Sequence, residues 1–147
     1  RANRIVESAI KNNLIKELKN TKVLKPEFKF DSDTRFDFLC DKKIVEVKNV
    51  TLLRNDQIAE FPDAITSRGT KHLLKLVKSL KNGFSPNVLF LTQIPDIKYF
   101  KIAKDIDENY YKNYLLAKKA GVKFLAYNCK VSSKEIKIDK KIKILDD

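Results

Sequence analysis

Apolar positions along residues 3–19, NRIVESAIKNNLIKELK, recur at Ile5, Val6, Ala9, Ile10, Leu14 and Leu18. That spacing lies near the helical repeat and predicts an amphipathic helix. Three shorter stretches follow, 26–31, 34–40 and 43–50, in which apolar and polar residues alternate and charged pairs stand at the breaks. They read as an antiparallel meander. Residues 61–83 open with a Pro-Asp turn and continue as a helix from Ser67 to Lys81, with Gly83 just past its last turn. The run NVLFLTQI (87–94) is almost continuously apolar, as befits a central strand buried on both faces. A third helix is predicted over 107–120, ending at Gly121, and a second apolar strand over 122–131. In the tail, Lys alternates with Ile136, Ile138, Ile142 and Ile144, the pattern of an edge strand blunted by charge. The order α-β-β-β-α-β-α-β predicts an α/β fold in which a mixed sheet is flanked by helices on both faces.

Length changes this picture little: 147 residues make one domain, able to bury roughly two-thirds of its unfolded surface. No apolar run approaches the ~20 residues of a membrane-spanning helix, and nothing resembles a signal peptide. The chain starts at Arg1 and contains no Met. It is therefore expected to be a fragment of a longer protein, with a part preceding Arg1. Cys40 and Cys129 lie far apart, and with a single histidine they give no zinc-ligand spacing. Both fall in apolar strands, which predicts buried free thiols in a reducing, cytoplasmic compartment.

Charge adds more. The formal net charge is +12, carried by 26 Lys and 5 Arg. Lys-, Ile- and Asn-rich usage is also what AT-rich codons would produce, but the field exists whatever its origin. It makes a polyanion, nucleic acid above all, the leading partner.

The candidate chemistry lies in RFDFLCDKKIVEVKNVTL, residues 35–52. A hairpin turning at Asp41-Lys42 sets Cys40 opposite Lys43 and, counting back, Asp37 opposite Glu46. Opposed residues have Cβ atoms about 4.5–5.5 Å apart. Glu46 and Lys48 then share one face with Asp37, while Phe36, Phe38, Val45 and Val47 are expected on the other. Two carboxylates this close repel unless positive charge sits between them. Lys48 supplies some, and a hard divalent cation such as magnesium or manganese would supply more. Spacing alone favours a solvated ion-pair cluster.

The same segment resembles the PD-(D/E)xK nuclease superfamily, with Phe36 at the position of the motif's proline. SDTRFDFL, VEVKNVTL, FPDAITSRGTKHL and IDENYYKNYLLAKKAGVKFLAY together resemble the sugar fermentation stimulation protein family, in order and over most of the chain. The resemblance implies a restriction-endonuclease-like mixed sheet over residues 1–147. It also implies that the OB-type N-terminal barrel usual in that family is absent from this chain. It makes Asp37, Glu46 and the backbone carbonyl of Val47 metal ligands for Mg2+ or Mn2+, with Glu7 as a further acid. Lys48 would orient or help deprotonate the attacking water. Arg68, Lys71 and His72 fall at a helix start, where free N–H groups favour phosphate. They are either nucleic-acid contacts, or two surface charges and a packed or capping histidine. Asp63 is assigned to a turn, and Tyr110, Tyr111 and Tyr114 to packing rather than base stacking. Asn49 falls on the face away from Lys48.

The expected activity is metal-dependent hydrolysis of DNA phosphodiester bonds with little sequence specificity, on double- or single-stranded DNA, with RNA as a second candidate. The rival is a non-catalytic DNA-binding module with a regulatory role. A pure binding protein gains nothing from two acids beside an anionic ligand, which favours the enzyme.

Overall fold

The structure, a computed structural model, describes residues 1–146. Its elements in chain order are α1 (Ala2–Lys11), β1 (Leu24–Lys29), β2 (Arg35–Cys40), β3 (Lys43–Val50), β4 (Leu52–Leu53) and β5 (Ile58–Phe61). Then come α2 (Ser67–Ser79), β6 (Ser85–Thr92), β7 (Tyr99–Ile102), α3 (Glu108–Ala120), β8 (Lys123–Val131), β9 (Ile136–Lys141) and β10 (Lys143–Ile144). The main sheet has six strands in the order β1-β2-β3-β6-β8-β9. Strands β3, β6 and β8 run parallel, and the flanking pairs are antiparallel. The predicted mixed sheet with helices on both faces is what the chain forms.

Two apolar clusters fill the two sides of this sheet. One lies beneath α1 and includes Val6, Ile10, Phe38, Val45, Val47, Leu89 and Leu91. The other gathers Phe36, Ile44, Val88, Phe90, Leu73, Leu76, Tyr110 and Tyr114 under α2 and α3. Alternate residues of the NVLFL run thus serve opposite clusters, which is why that stretch is apolar throughout. Cys40 and Cys129 are free and buried, both in the α1 layer. No helix among the described residues is long and apolar enough to cross a membrane.

Three expectations need correction. The first helix ends at Lys11, not near Lys19: Asn13 takes a left-handed φ of 57°, and Leu14 N–H donates back to Ala9. This resets the phase, so Leu14 faces solvent and Ile15 takes the core. A second, four-stranded sheet, β10-β7-β5-β4, was not predicted. Its strands have two to four residues each, too few for a period to register. Arg54 pins it by bridging the buried Glu60 (2.7 Å) and Asp105 (2.6 Å). Lastly, Phe36 and Phe38 do not share a face but enter opposite clusters. The break coincides with Glu27 on β1, between Pro26↔Phe38 and Phe28↔Phe36, where φ is +51°. The β1–β2 register continues on both sides of Glu27, so the change of face occurs within an unbroken ladder.

The two-sided core makes a stability prediction. Leu89→Ala, in the middle of β6, should lower unfolding free energy by about 2–5 kcal/mol, whereas Leu116→Ala on the exposed face of α3 should change it by less than about 0.5 kcal/mol. Urea unfolding of both variants checks this, and equal losses would contradict the assigned core.

Candidate active site

The β2–β3 hairpin has the predicted register, with Phe38↔Val45, Leu39↔Ile44 and Cys40↔Lys43 as partners. Asp41 turns it with a φ of 56° and accepts the N–H groups of Lys22 and Val23. Continued by one pair, this register sets Asp37 opposite Glu46, but there the ladder stops. Asp37 Oδ2 accepts the Val47 N–H at 2.7 Å, and Oδ1 accepts from Asn3 Nδ2 of α1 at 2.9 Å. A carboxylate has replaced the backbone acceptor that β2 would otherwise offer. In an extended strand a residue's N–H and C=O point to the same side. The Val47 carbonyl therefore also faces the end of β2, beside Asp37.

Glu46 projects to the other side of β3, toward α2, and is only 5% exposed. Its Oε2 accepts from His72 Nδ1 at 2.6 Å and from Lys48 Nζ at 3.1 Å. The histidine is carried by α2, whose start is set by several contacts. Thr66 caps it by accepting the Gly69 N–H, and the Thr66 N–H donates to Asp107 Oδ2. Asp107 Oδ1 in turn caps α3 through Tyr110 N–H, so one carboxylate ties two helix starts together. Gly69 permits the close approach: a Cβ there would lie 2.9 Å from Thr66 Oγ1 and 3.1 Å from Tyr110 Cε1. Tyr110 and Tyr114 are fully buried, in keeping with a packing role.

The two acids titrate in opposite directions. Burial, then the charge and hydrogen bonding of Glu46, push Asp37 up to about 6. Burial also opposes ionisation of Glu46, but the His72 hydrogen bond and the Lys48 charge outweigh it and hold Glu46 at about 2. Of the two, Asp37 is the acid that takes up a proton first as pH falls, at about pH 6. Burial, and secondarily the charge of Glu46, also raise the Tyr110 phenol.

Among the described residues no three His, Cys, Asp or Glu side chains gather as a metal-holding group. The donor set is instead two carboxylates and a main-chain carbonyl, all hard oxygens, which fits a magnesium-type cation completed by water. Glu7 lies one helical turn beyond Asn3 but pairs with Lys11 at 3.3 Å. Arg68 is exposed in the first turn of α2. Lys71 pairs with Asp33 at 3.2 Å, and Lys75 with Asp31 at 2.6 Å. His72 is not the surface phosphate contact that its place near a helix start suggested. Its ring is 7% exposed and its Nδ1 is committed to Glu46. Asp63 sits exposed between β5 and α2, and Asn49 accepts from Gln93 at 3.2 Å. Sequence reasoning missed Asn3 and the His72–Glu46 contact. The latter joins residues 26 apart on different elements, and no spacing rule reaches that far. A groove of about 760 Å³ between α1 and the β8–β9 turn includes Arg1, Arg4 and Glu135 and none of the trio. It has one carboxylate and no partner acid, so it does not mark the chemistry.

A family profile described as "Sugar fermentation stimulation protein RE domain" matches residues 1–135. The chain belongs to the sugar fermentation stimulation protein family. A homolog from Pelagibacter ubique (strain HTCC1062) is 58% identical over 149 residues, covering 99% of this chain and 64% of that protein. One from Clostridium tetani is 39% identical, covering 97% and 64%. Among solved structures, Pyrococcus furiosus SfsA, determined in complex with Ca2+, superposes with a TM-score of 0.85 at 28% identity. That match covers 95% of this chain and 62% of the Pyrococcus protein. The chain thus spans just under two-thirds of the length of these family members.

The raised Asp37 has a consequence for stability. Its folded value of about 6 exceeds the ordinary 3.8, so ionising it opposes folding in full above about pH 6. That cost fades as pH falls toward 4. In metal-free buffer with chelator, Asp37→Asn should therefore be more stable than the wild type at pH 8, by up to about 2–3 kcal/mol. The advantage should shrink between pH 6 and 4. Denaturant unfolding at pH 8, 6 and 4.5 measures it, and a difference independent of pH would show that Asp37 is not strained.

Proposed function

We propose that this chain is a metal-dependent nuclease domain of the PD-(D/E)xK type, hydrolysing DNA phosphodiester bonds with little sequence preference. The observation that carries the reading is the closeness of the Asp37 and Glu46 carboxylates just past the end of the β2–β3 ladder, with Lys48 hydrogen-bonded to Glu46. A carboxylate held at such a cost to its ionisation is a mark of a functional site. The Ca2+ found with the Pyrococcus relative supports a hard divalent cation as the partner of the two acids.

Asp37, Glu46 and the Val47 carbonyl would hold Mg2+ or Mn2+. When bound, the ion would polarise the scissile phosphate and lower the pKa of a coordinated water. The protein's own share is positioning. Val47 N–H and Asn3 fix the Asp37 carboxylate, while His72 fixes that of Glu46. The Lys48 ammonium supplies a fixed positive charge beside the reacting phosphate and holds or orients the attacking water. Arg68 and the wider basic surface, at a net charge of +12, attract the backbone without reading bases. The reading as a regulatory DNA-binding module leaves the acidic pair without a purpose, since two anions repel phosphate unless a cation screens them.

Incubating the chain with plasmid and linear DNA under magnesium, manganese or chelator separates these readings. Glu46→Ala and Lys48→Ala should each reduce cleavage by at least about a hundredfold while DNA retention stays nearly unchanged. Equal nicking by the wild type and both variants would trace the activity to a contaminant. Retention without any cleavage in either metal would leave the binding module. Arg68→Ala should weaken retention similarly for all DNA sequences and lower the slope of log affinity against log salt by about one.

A further inference from the structure

Glu46 is a long side chain carrying full charge in a nearly dry place, and something must hold its carboxylate in one orientation. Asp37 of β2 lies within hydrogen-bonding reach of it, and two donors meet its Oε2, Lys48 and His72. Lys48 is two residues along the same strand, so any rotation of β3 carries donor and acceptor together. His72 comes from α2, an independent element anchored through Thr66, Asp107 and the close Gly69–Tyr110 packing. Of the two donors, the histidine is the one that ties the carboxylate to a second helix, α2.

The proton on this contact is assignable. Oε2 already accepts from Lys48 Nζ at 3.1 Å, so it acts as an acceptor and the 2.6 Å contact places the hydrogen on Nδ1. Lys48 Nζ stands 3.5 Å from the same nitrogen. Two hydrogen-bearing nitrogens at that distance are in contact, not hydrogen-bonded. The plane of the imidazole is set by Phe36, whose ring meets it edge-on at 5.8 Å with an interplanar angle of 69°. This is the phenylalanine that enters the cluster under α2, at the position of the motif's proline.

We propose that His72 is the positioning residue of the site: its Nδ1–H anchors the Glu46 carboxylate from α2, with Phe36 holding the ring, so that Glu46 faces the cation in a fixed orientation. The anchoring geometry stands by itself, and its use for a cation rests on the nuclease reading. Second contacts of this kind orient metal ligands, and their loss weakens metal affinity without abolishing the fold.

The chain has one histidine, so a long-range nitrogen–proton NMR correlation reports its tautomer without overlap. The wild type should show the Nδ1–H form, and Glu46→Gln should move that nitrogen's signal. Two substitutions test the same atom. The amide nitrogen of His72→Asn stands where Nδ1 was, and that of His72→Gln lies near Nε2. In calorimetric titrations with Mg2+ or Mn2+ alone, His72→Asn should bind within about threefold of the wild type, while His72→Gln and His72→Ala bind about 10–100-fold more weakly. Melting temperatures should not follow this order. An Nε2–H tautomer, or rescue by Gln as good as by Asn, overturns the proposal. If the wild type takes up neither metal yet keeps the Nδ1–H tautomer and its response to Glu46→Gln, the nuclease reading falls and the anchoring of Glu46 stands.

Discussion

Burying an ionised carboxylate inside an apolar sandwich is costly unless hydrogen bonds and opposite charge compensate it. Glu46 meets that constraint at the centre of β3, and much of the surrounding structure answers to it. The hydrogen bond from His72 fixes where α2 must lie, and the charge from Lys48 fixes which face of β3 is polar. Asp37, buried beside the same charge, ionises only at about pH 6, well above the ordinary carboxylate. A cation between the two acids would resolve the conflict that the protein by itself only partly relieves.

The sheet makes this arrangement rigid. Strand β3 lies between β2 and β6, with an apolar cluster on each side, so its backbone has no freedom to adjust to its side chains. The two acids reach the site from different directions. Glu46 points to the α2 side, and Asp37 lies at the ladder's end, hydrogen-bonded both to Val47 of β3 and to Asn3 of α1. The site therefore draws on both helical layers. Phe36 enters the α2 side, where its ring packs edge-on against His72.

The surface tells a different story from the raw charge. Lys71 and Lys75 are engaged with Asp33 and Asp31 of the β1–β2 loop. Arg68 stands exposed in the first turn of α2. Residues 68, 71 and 72 are neighbours in sequence and helical phase, yet they have three different surroundings: solvent, an ion pair, and the interior.

By itself the amino-acid order determined the parts of this protein that depend on local periodicity. The long strands β2, β3, β6 and β8, the helices α2 and α3 with their glycine ends, and the hairpin register all follow from alternation, turn residues and helical spacing within a few residues of one another. Register carried Asp37 to Glu46, because a hairpin's pairing is set once its turn is set. Only tertiary structure decided the rest. The four short strands of the second sheet pair between distant segments, and Arg54 ties them further through Glu60 and Asp105. Asn13 takes left-handed backbone just past the end of α1, and Phe36 and Phe38 enter opposite clusters although only Asp37 separates them along one strand. His72 joins Glu46 only because α2 is capped and packed where it is. Contacts between distant residues depend on where whole elements dock, and docking is a property of the packed core rather than of any window of sequence.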